Sequence, residues 1–337
     1  MHRPRVRLRS RAVLLGALAA ALTAGAAAAP ALALTVGIAD NKPDMFGDPR
    51  FHAAGVRFAR LSVGWDALSS PWQVAEIDAW LGAARAANVE PLVSFGHSRT
   101  DRRSVPTPER FLFEFRRFRA RYPWVKEYAA WNEANHCGEP TCHKARRVAR
   151  FYNNMRHNCY GCTVVAGDVL DTPTMPAWVR EFRRTARKDK LIWGLHNYID
   201  ANRFRTKGTK ALLKAAPKGK IWFTETGGLV VRRNKSRIAF PGNKKHQVKA
   251  TKQVFKLARL SPRVRRIYFY HWQPSADPLP TWDSALVDPR GKPRPAYSVL
   301  KRYVVRFARE AARRAEEGSP TEVPAGAEGM SGAKRQP

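Results

Sequence analysis

The stretches Ala130-Trp131-Asn132-Glu133-Ala134-Asn135 and Ile221-Trp222-Phe223-Thr224-Glu225-Thr226-Gly227 decide the reading of this chain. Each is a short apolar run that ends abruptly in a glutamate. A run of that length reads as a buried strand. A carboxylate at its end emerges where the strand leaves the core. The question is whether the chain around the two runs brings their carboxylates together.

Working outward, short β-rich runs alternate with longer helical ones after Leu34. Strands are expected at 34–39, 56–63, 89–95, 125–132, 163–166, 191–197, 220–224 and 266–272. Helices are expected at 73–87, 108–121, 144–158, 174–187, 206–216, 244–260 and 296–312. Alternating β and α demands a parallel sheet, and near-continuous apolar strands fit a sheet covered on both faces. Eight such units over about 270 residues give an α/β fold, a (β/α)8 TIM barrel in a single catalytic domain spanning 34–312. An open doubly wound sheet is the competitor. The first strand is followed by no Gly-rich phosphate loop, the commonest mark of that fold.

In such a barrel the functional residues lie at the C-terminal ends of the strands. Those ends read, in order, Arg60 and Ser62 with Trp65 beyond, Gly96-His97, Asn132-Glu133, Gly167-Asp168, His196-Asn197-Tyr198, Glu225, and His271-Trp272-Gln273. They are polar or aromatic, whereas the strand bodies are Val, Ile, Leu, Phe, Ala and Trp. Trp131, Trp193 and Trp222 sit in strand bodies and read as core.

This ordered set resembles clan A of the glycoside hydrolases, with family 5 the nearest in character. In that clan the acid/base is the glutamate of an Asn-Glu pair ending strand four, and the nucleophile is a glutamate ending strand seven. Asn132-Glu133 and Glu225 match in type, strand and order. His196 and Tyr198 resemble the family's His-x-Tyr on strand six, Arg60 its strand-two arginine, and Trp272 its strand-eight tryptophan under the reacting sugar. The loop after His97, Ser98-Arg99, has no counterpart in the pattern, so the resemblance implies the chemistry and not the sugar.

The chemistry also stands without the family. A retaining glycosidase needs two carboxyls about 5–5.5 Å apart, and strands four and seven face each other across an eight-stranded ring. Glu133 is expected as acid/base, with its pKa raised by partial burial and by the anion of Glu225. Glu225 is expected as the ionised nucleophile, held by Arg60 and Tyr198. Asn132 would donate to the sugar 2-hydroxyl, while Trp272, Trp65, His97 and His196 would line the substrate. Asp168 and His271 are further candidates for the lining. Each role has a bland counterpart: either glutamate as a helix cap, His196 as a core histidine, Arg60 and Tyr198 as a structural pair, Trp272 as barrel packing. No His-x-His or His-Glu-x-x-His pattern marks a metal, and no cofactor is expected.

Residues 1–33 hold Arg3, Arg5, Arg7, Arg9 and Arg11, an apolar run from Ala12 to Ala29, and Ala31-Leu32-Ala33. A positive start, an apolar core and an A-x-A site describe a secretory signal peptide. No later segment has the roughly 18 consecutive apolar residues of a membrane span. The expected location is therefore outside the cell or in its wall. The 337-residue chain carries 61 Lys+Arg against 27 Asp+Glu, a formal charge of +34. Removing the five arginines of 1–33 leaves +29, which favours an anionic cell-envelope polymer as a partner besides a poly- or oligosaccharide substrate. Codon bias spread over solvated helix faces explains the charge equally well. The densest basic stretch, from Arg232 to Lys249, includes Lys235 and Arg237. Export and the lack of a recognition motif argue against nucleic acid. A non-catalytic carbohydrate- or envelope-binding barrel is the alternative function.

Four cysteines form two close pairs, Cys137 with Cys142 and Cys159 with Cys162. A shared zinc fails on distance, because about fifteen helical residues at 1.5 Å rise separate the pairs by roughly 22 Å. Two local disulfides fit an oxidising compartment better. Residues 313–337, rich in Gly and Pro and poor in apolar side chains, are expected to be a disordered tail.

Overall fold

Eight parallel strands close into a ring in the order in which they occur along the chain. The computed structural model describes residues 34–187, 190–233, 242–277 and 280–317. The strands are β1 (Thr35–Ala39), β2 (Phe58–Gly64), β3 (Glu90–Gly96), β4 (Glu127–Ala129), β5 (Thr163–Leu170), β6 (Ile192–His196), β7 (Lys220–Thr226) and β8 (Val264–Tyr270). β8 pairs back onto β1, from Thr35 opposite Arg266 to Ala39 opposite Tyr270. The outer layer holds α1 (Pro71–Ala86), α2 (Pro108–Arg121), α3 (Ala145–His157), α4 (Met175–Thr185), α5 (Lys207–Ala215), α6 (Lys244–Ala258) and α7 (Pro295–Glu317). The fold is the single (β/α)8 barrel that the strand and helix pattern implies.

Strand periodicity divides the core in two. Ala39, Leu92, Ala129, Val165, Trp222 and Tyr268 fill the barrel interior. Their neighbours Val93, Tyr128, Val164, Ile221, Phe223 and Ile267 point outward into the helix layer. This alternation is the period of two that a closed parallel sheet imposes. α2 illustrates how the outer layer is made. The Thr107 side chain accepts from the Arg110 N–H, Pro108 opens the helix, and Arg119 and Arg121 lie in its last turn, which suits the helix dipole. Phe111, Phe115 and Phe118 then fall on one face and meet Phe95 edge-on at 5.6, 6.0 and 5.3 Å.

Two strands depart from expectation in ways that serve the mouth of the barrel. β4 is regular only over Glu127–Ala129. Its ladder loosens to single bonds, Ala130 N–H to Val165 at 3.2 Å and Asn132 N–H to Phe95 at 2.6 Å. β5 runs on to Leu170, with a register shift between Val165 and Asp168. Both cysteine pairs are disulfides, Cys137–Cys142 before α3 and Cys159–Cys162 after it. α7 continues to Glu317, beyond the expected end at 312. The signal-peptide reading of 1–33, the tail after 317, and Lys235 and Arg237 of the basic stretch lie outside the described residues. Among the described residues, no helix is long and apolar enough to cross a membrane.

Candidate active site

Six strands, β2 to β7, deliver polar side chains to one point at the C-terminal mouth. Arg60, from β2, is only 2% exposed. Its Nη1 donates to Glu225 Oε2 at 3.0 Å, and its Nη2 to Asn132 Oδ1 at 2.6 Å and to Asp168 Oδ2 at 2.7 Å. The Ser94 hydroxyl donates to the same Asp168 oxygen at 2.7 Å. Burial opposes charge on both partners, but the opposite charge wins. Asp168 and Glu225 keep the Arg60 guanidinium more basic than usual. Arg60, His196 and the Ser94 hydroxyl hold Asp168 below the usual carboxylate range. Gly194, beside Asp168 on β6, is required by this packing, since a Cβ there would lie 2.0 Å from Asp168 Oδ1.

Glu133 sits where the irregular end of β4 turns out of the barrel. Its φ is +46°, a left-handed conformation that costs a non-glycine residue about 1–2 kcal/mol. The strain is held by the next peptide, whose Ala134 N–H donates to the Asp168 carbonyl at 2.9 Å. Glu133 Oε1 lies 3.0 Å from His196 Nδ1, and Oε2 lies 3.9 Å from His136 Nδ1. Register on β6 and β7 sets His196 opposite Glu225. Glu225 Oε1 accepts from the Tyr198 hydroxyl at 2.9 Å. Ligand-capable atoms of Glu133, His196 and Glu225 all lie within 4.8 Å of one another, so the two carboxylates do meet. These three could also converge on a divalent ion. The Arg60 guanidinium, 3.0 Å from Glu225, already occupies the electrostatic role of such an ion and would repel a second cation.

One electrostatic expectation is overturned. Burial does push the Glu133 pKa up, but His196, His136 and Arg60 together bring it below the usual value. The expectation counted the repulsion of Glu225 and omitted the cations that face Glu133 itself. His196 is the complement: burial pushes its pKa down, and Glu225 and Glu133 raise it overall. The Tyr198 phenol is driven well above its usual value by burial and by Glu225, so it remains a donor.

Two aromatic assignments are also corrected. Trp272 is 0% exposed. Its indole N–H donates to Asp48 Oδ2 at 3.0 Å, and it packs edge-on to Phe51 and Tyr297. It is core and presents no face to a sugar. Trp65 is buried among core side chains as well. His97 is tied to a loop and touches neither carboxylate: its Nδ1 lies 2.7 Å from Glu139 Oε1. Glu139 also accepts from the Trp131 indole at 3.1 Å. His271 lies between Asp40 and Asp283, at 4.0 and 3.9 Å. The aromatic rings near Glu225 are others. Trp282, on a short ribbon pairing Val231–Arg232 with Trp282–Asp283, meets Tyr198 edge-on at 4.8 Å. Tyr270 ends β8 and has its pKa raised by burial and by Glu225. The residue two places before Trp272 carried the signal, because period two puts Tyr270 at the strand end. Trp282 had none, since a two-residue ribbon has no periodicity.

No family model matches the sequence, and no curated protein sequence matches it. Solved structures do match. A fungal β-1,4-galactanase aligns at a TM-score of 0.61 with 13% identity, covering 80% of this chain and 99% of the other. GH5_18 from Streptomyces cattleya, in complex with GlcNAc, aligns at 0.57 with 14% identity, covering 87% and 83%. Xylanase 10B from Thermotoga maritima aligns at 0.57 with 12% identity, covering 83% and 97%. The chain has the fold of the clan A glycoside hydrolases. At these identities the likeness to the clan A barrels is one of architecture. It extends over nearly the full length of the galactanase and the xylanase and over 83% of GH5_18.

Proposed function

We propose that the chain is a retaining β-glycosidase that hydrolyses a poly- or oligosaccharide outside the cytoplasm by double displacement. The convergence of Glu133 and Glu225 on atoms within 4.8 Å supports this reading most strongly. It suits direct attack by one carboxylate, the short-separation geometry of the retaining class.

Glu225 is the nucleophile. Two donors, Arg60 and Tyr198, fix both of its oxygens and aim it at the anomeric carbon. Glu133 acts with His196 as one acid unit. The pair is hydrogen-bonded at 3.0 Å, so a single proton belongs to both groups. In the free chain the proton rests toward His196. As sugar fills the mouth and excludes water, the carboxylate loses solvation and the proton moves to Glu133, then to the departing oxygen. In the second half Glu133 takes a proton from water while water attacks the glycosyl ester of Glu225. Asn132, held by Arg60, is the group offered to the sugar 2-hydroxyl. Tyr270 and Trp282 take the stacking role that Trp272 does not fill.

The disulfides fit an oxidising compartment. The charge of +29 that remains when the five arginines of 1–33 are taken from +34 suits retention on an anionic envelope polymer, which predicts binding to acidic polysaccharide that weakens as salt rises. A screen of chromogenic β-glycosides and polysaccharides tests the activity. Turnover that disappears in Glu225→Gln and in Glu133→Gln supports the proposal. Saturable sugar binding without any product leaves the non-catalytic barrel in its place.

A further inference from the structure

Glu133 has a second histidine that the double-displacement scheme does not use. His136 Nδ1 stands 3.9 Å from Glu133 Oε2, the oxygen that His196 leaves open. His196 is fully buried, whereas the His136 side chain is 49% exposed. Glu133 is thus gripped on its inner oxygen by a buried imidazole and flanked on its outer oxygen by one in contact with solvent.

The placement of His136 is built into the loop. The His136 N–H donates to the Glu133 carbonyl at 2.8 Å, and the Glu139 N–H to the His136 carbonyl at 2.8 Å. These two turns fold the segment back over the catalytic glutamate. Thr141 ties the far side down through the Ala134 carbonyl at 3.0 Å, and Cys137–Cys142 closes the loop. The imidazole lies directly on Gly138: a Cβ there would come within 2.8 Å of Cε1 and 2.9 Å of Nδ1. Any side chain at 138 would displace the ring. Glu139, in the same loop, orients His97 and Trp131.

We propose that His136 is a positioning residue for Glu133, acting on its outer oxygen from the leaving-group side and supporting its carboxylate form during the second displacement. The proposal rests on the glycosidase reading of this site. Glu133 must be an acid in the first step and a carboxylate in the second. The other groups facing it are His196 from β6, Arg60 from β2, Glu225 from β7 and the phenols of Tyr198 and Tyr270. Once Glu225 is esterified its charge is gone, and Arg60 turns to Asp168. His136 is the neighbour that still faces the outer oxygen of Glu133 from solvent. Protons balance within the cycle: Glu133 gives one to the leaving oxygen and regains one from the attacking water.

The test compares the parent chain with His136→Gln and Gly138→Ala on two β-glycosides of the sugar that the screen identifies. One carries a dinitrophenyl leaving group, so that hydrolysis of the glycosyl ester limits the rate. The other carries an alkyl group that must be protonated to leave. Loss of one exposed charge pair corresponds to up to about fivefold in rate and about 0.7 pH unit. Both variants are expected to lower kcat on the dinitrophenyl substrate by that factor. Azide, which needs no general base, restores the rate. The alkaline limb of kcat/KM on the alkyl substrate moves to higher pH, because the Glu133–His196 unit keeps its proton longer. An unchanged pH profile, or a loss that azide does not repair, overturns the proposal. NMR titration of the Glu133 carboxyl carbon in the parent and in His136→Gln reads the same coupling without turnover. A shift there in a chain that hydrolyses nothing would sink the glycosidase reading alone; no shift in an active chain would sink this one alone.

Discussion

The two ends of the barrel each hold an arginine, buried at the mouth and half-buried at the base, and they use it oppositely. At the N-terminal end, Arg266 of β8 lies between the rings of Phe58 and Trp222, at 3.9 and 4.1 Å from their centroids. It pairs with Glu127, and its Nη1 donates to the Tyr268 hydroxyl at 3.0 Å. One cation meets one carboxylate, both ring faces are covered, and the charges close on themselves. At the C-terminal end, Arg60 faces Asp168 and Glu225 together. One cation cannot neutralise both, and the surplus negative charge is Glu225, which opens to the mouth. The contrast teaches that a buried ion pair marks structure when it is balanced and chemistry when it is not.

Breaking the unbalanced end is expected to have the largest effect. Glu225→Gln should reduce turnover at least about a thousandfold while leaving the thermal midpoint near that of the parent, measured by aryl glycoside kinetics and by melting. Arg60→Met should cost about 10²–10³ in kcat. It should also destabilise by about 3–5 kcal/mol, because buried Asp168 loses its arginine and keeps only the Ser94 hydroxyl and the more distant His196; urea unfolding reads the second number.

A fourth acid at the mouth sharpens the comparison, because its neighbours are backbone N–H groups and another carboxylate. Asp171, just beyond β5, is held by the N–H groups of Ile199 and Asp200 at 3.3 and 2.8 Å. Burial and the neighbouring Asp200 push its pKa up to about 7. The folded chain therefore keeps this proton where the unfolded chain has lost it. Its contribution to stability is full below about pH 4, falls as pH rises to about 7, and stays flat above, a span of up to about 4 kcal/mol. Asp171→Asn should remove that slope, so the difference in stability between variant and parent should grow in the variant's favour from pH 4 to 7.

At the balanced end, Arg266→Met should destabilise by about 3 kcal/mol by stranding Glu127, with kcat and KM of the folded fraction unchanged. Replacing Arg266 and Glu127 together by leucine should recover most of that loss. The smallest effect is expected from Tyr198→Phe. It removes one of the donors to Glu225 and should lower kcat about tenfold, the worth of one hydrogen bond to a charged group.

The barrel was legible because period-two apolar strands and capped amphipathic helices are local signals. The same signals placed Arg60, Asn132, Glu133, His196, Tyr198 and Glu225 at one mouth, since a strand end is a position in the pattern. What could not be read was which way a side chain turns after the strand stops. Trp272 lies two residues past the end of β8, and its indole is claimed by Asp48, a residue 224 positions away in sequence. Trp282 reaches the site through a ribbon too short to leave a pattern. The lowered pKa of Glu133 was hidden for a related reason. It depends on His136 and His196 approaching its two oxygens, and the first of these requires the ring to lie on Gly138.

The central claim is that Glu225 attacks sugar directly, with Glu133 as its proton partner. Intact mass and peptide mapping after exposure to a panel of 2-deoxy-2-fluoro glycosides bearing activated leaving groups test it most directly. One glycosyl adduct, mapped to Glu225 and absent from Glu225→Gln, is the predicted result. Hydrolysis that proceeds with inversion at the anomeric carbon, or an adduct on any other residue, would contradict it.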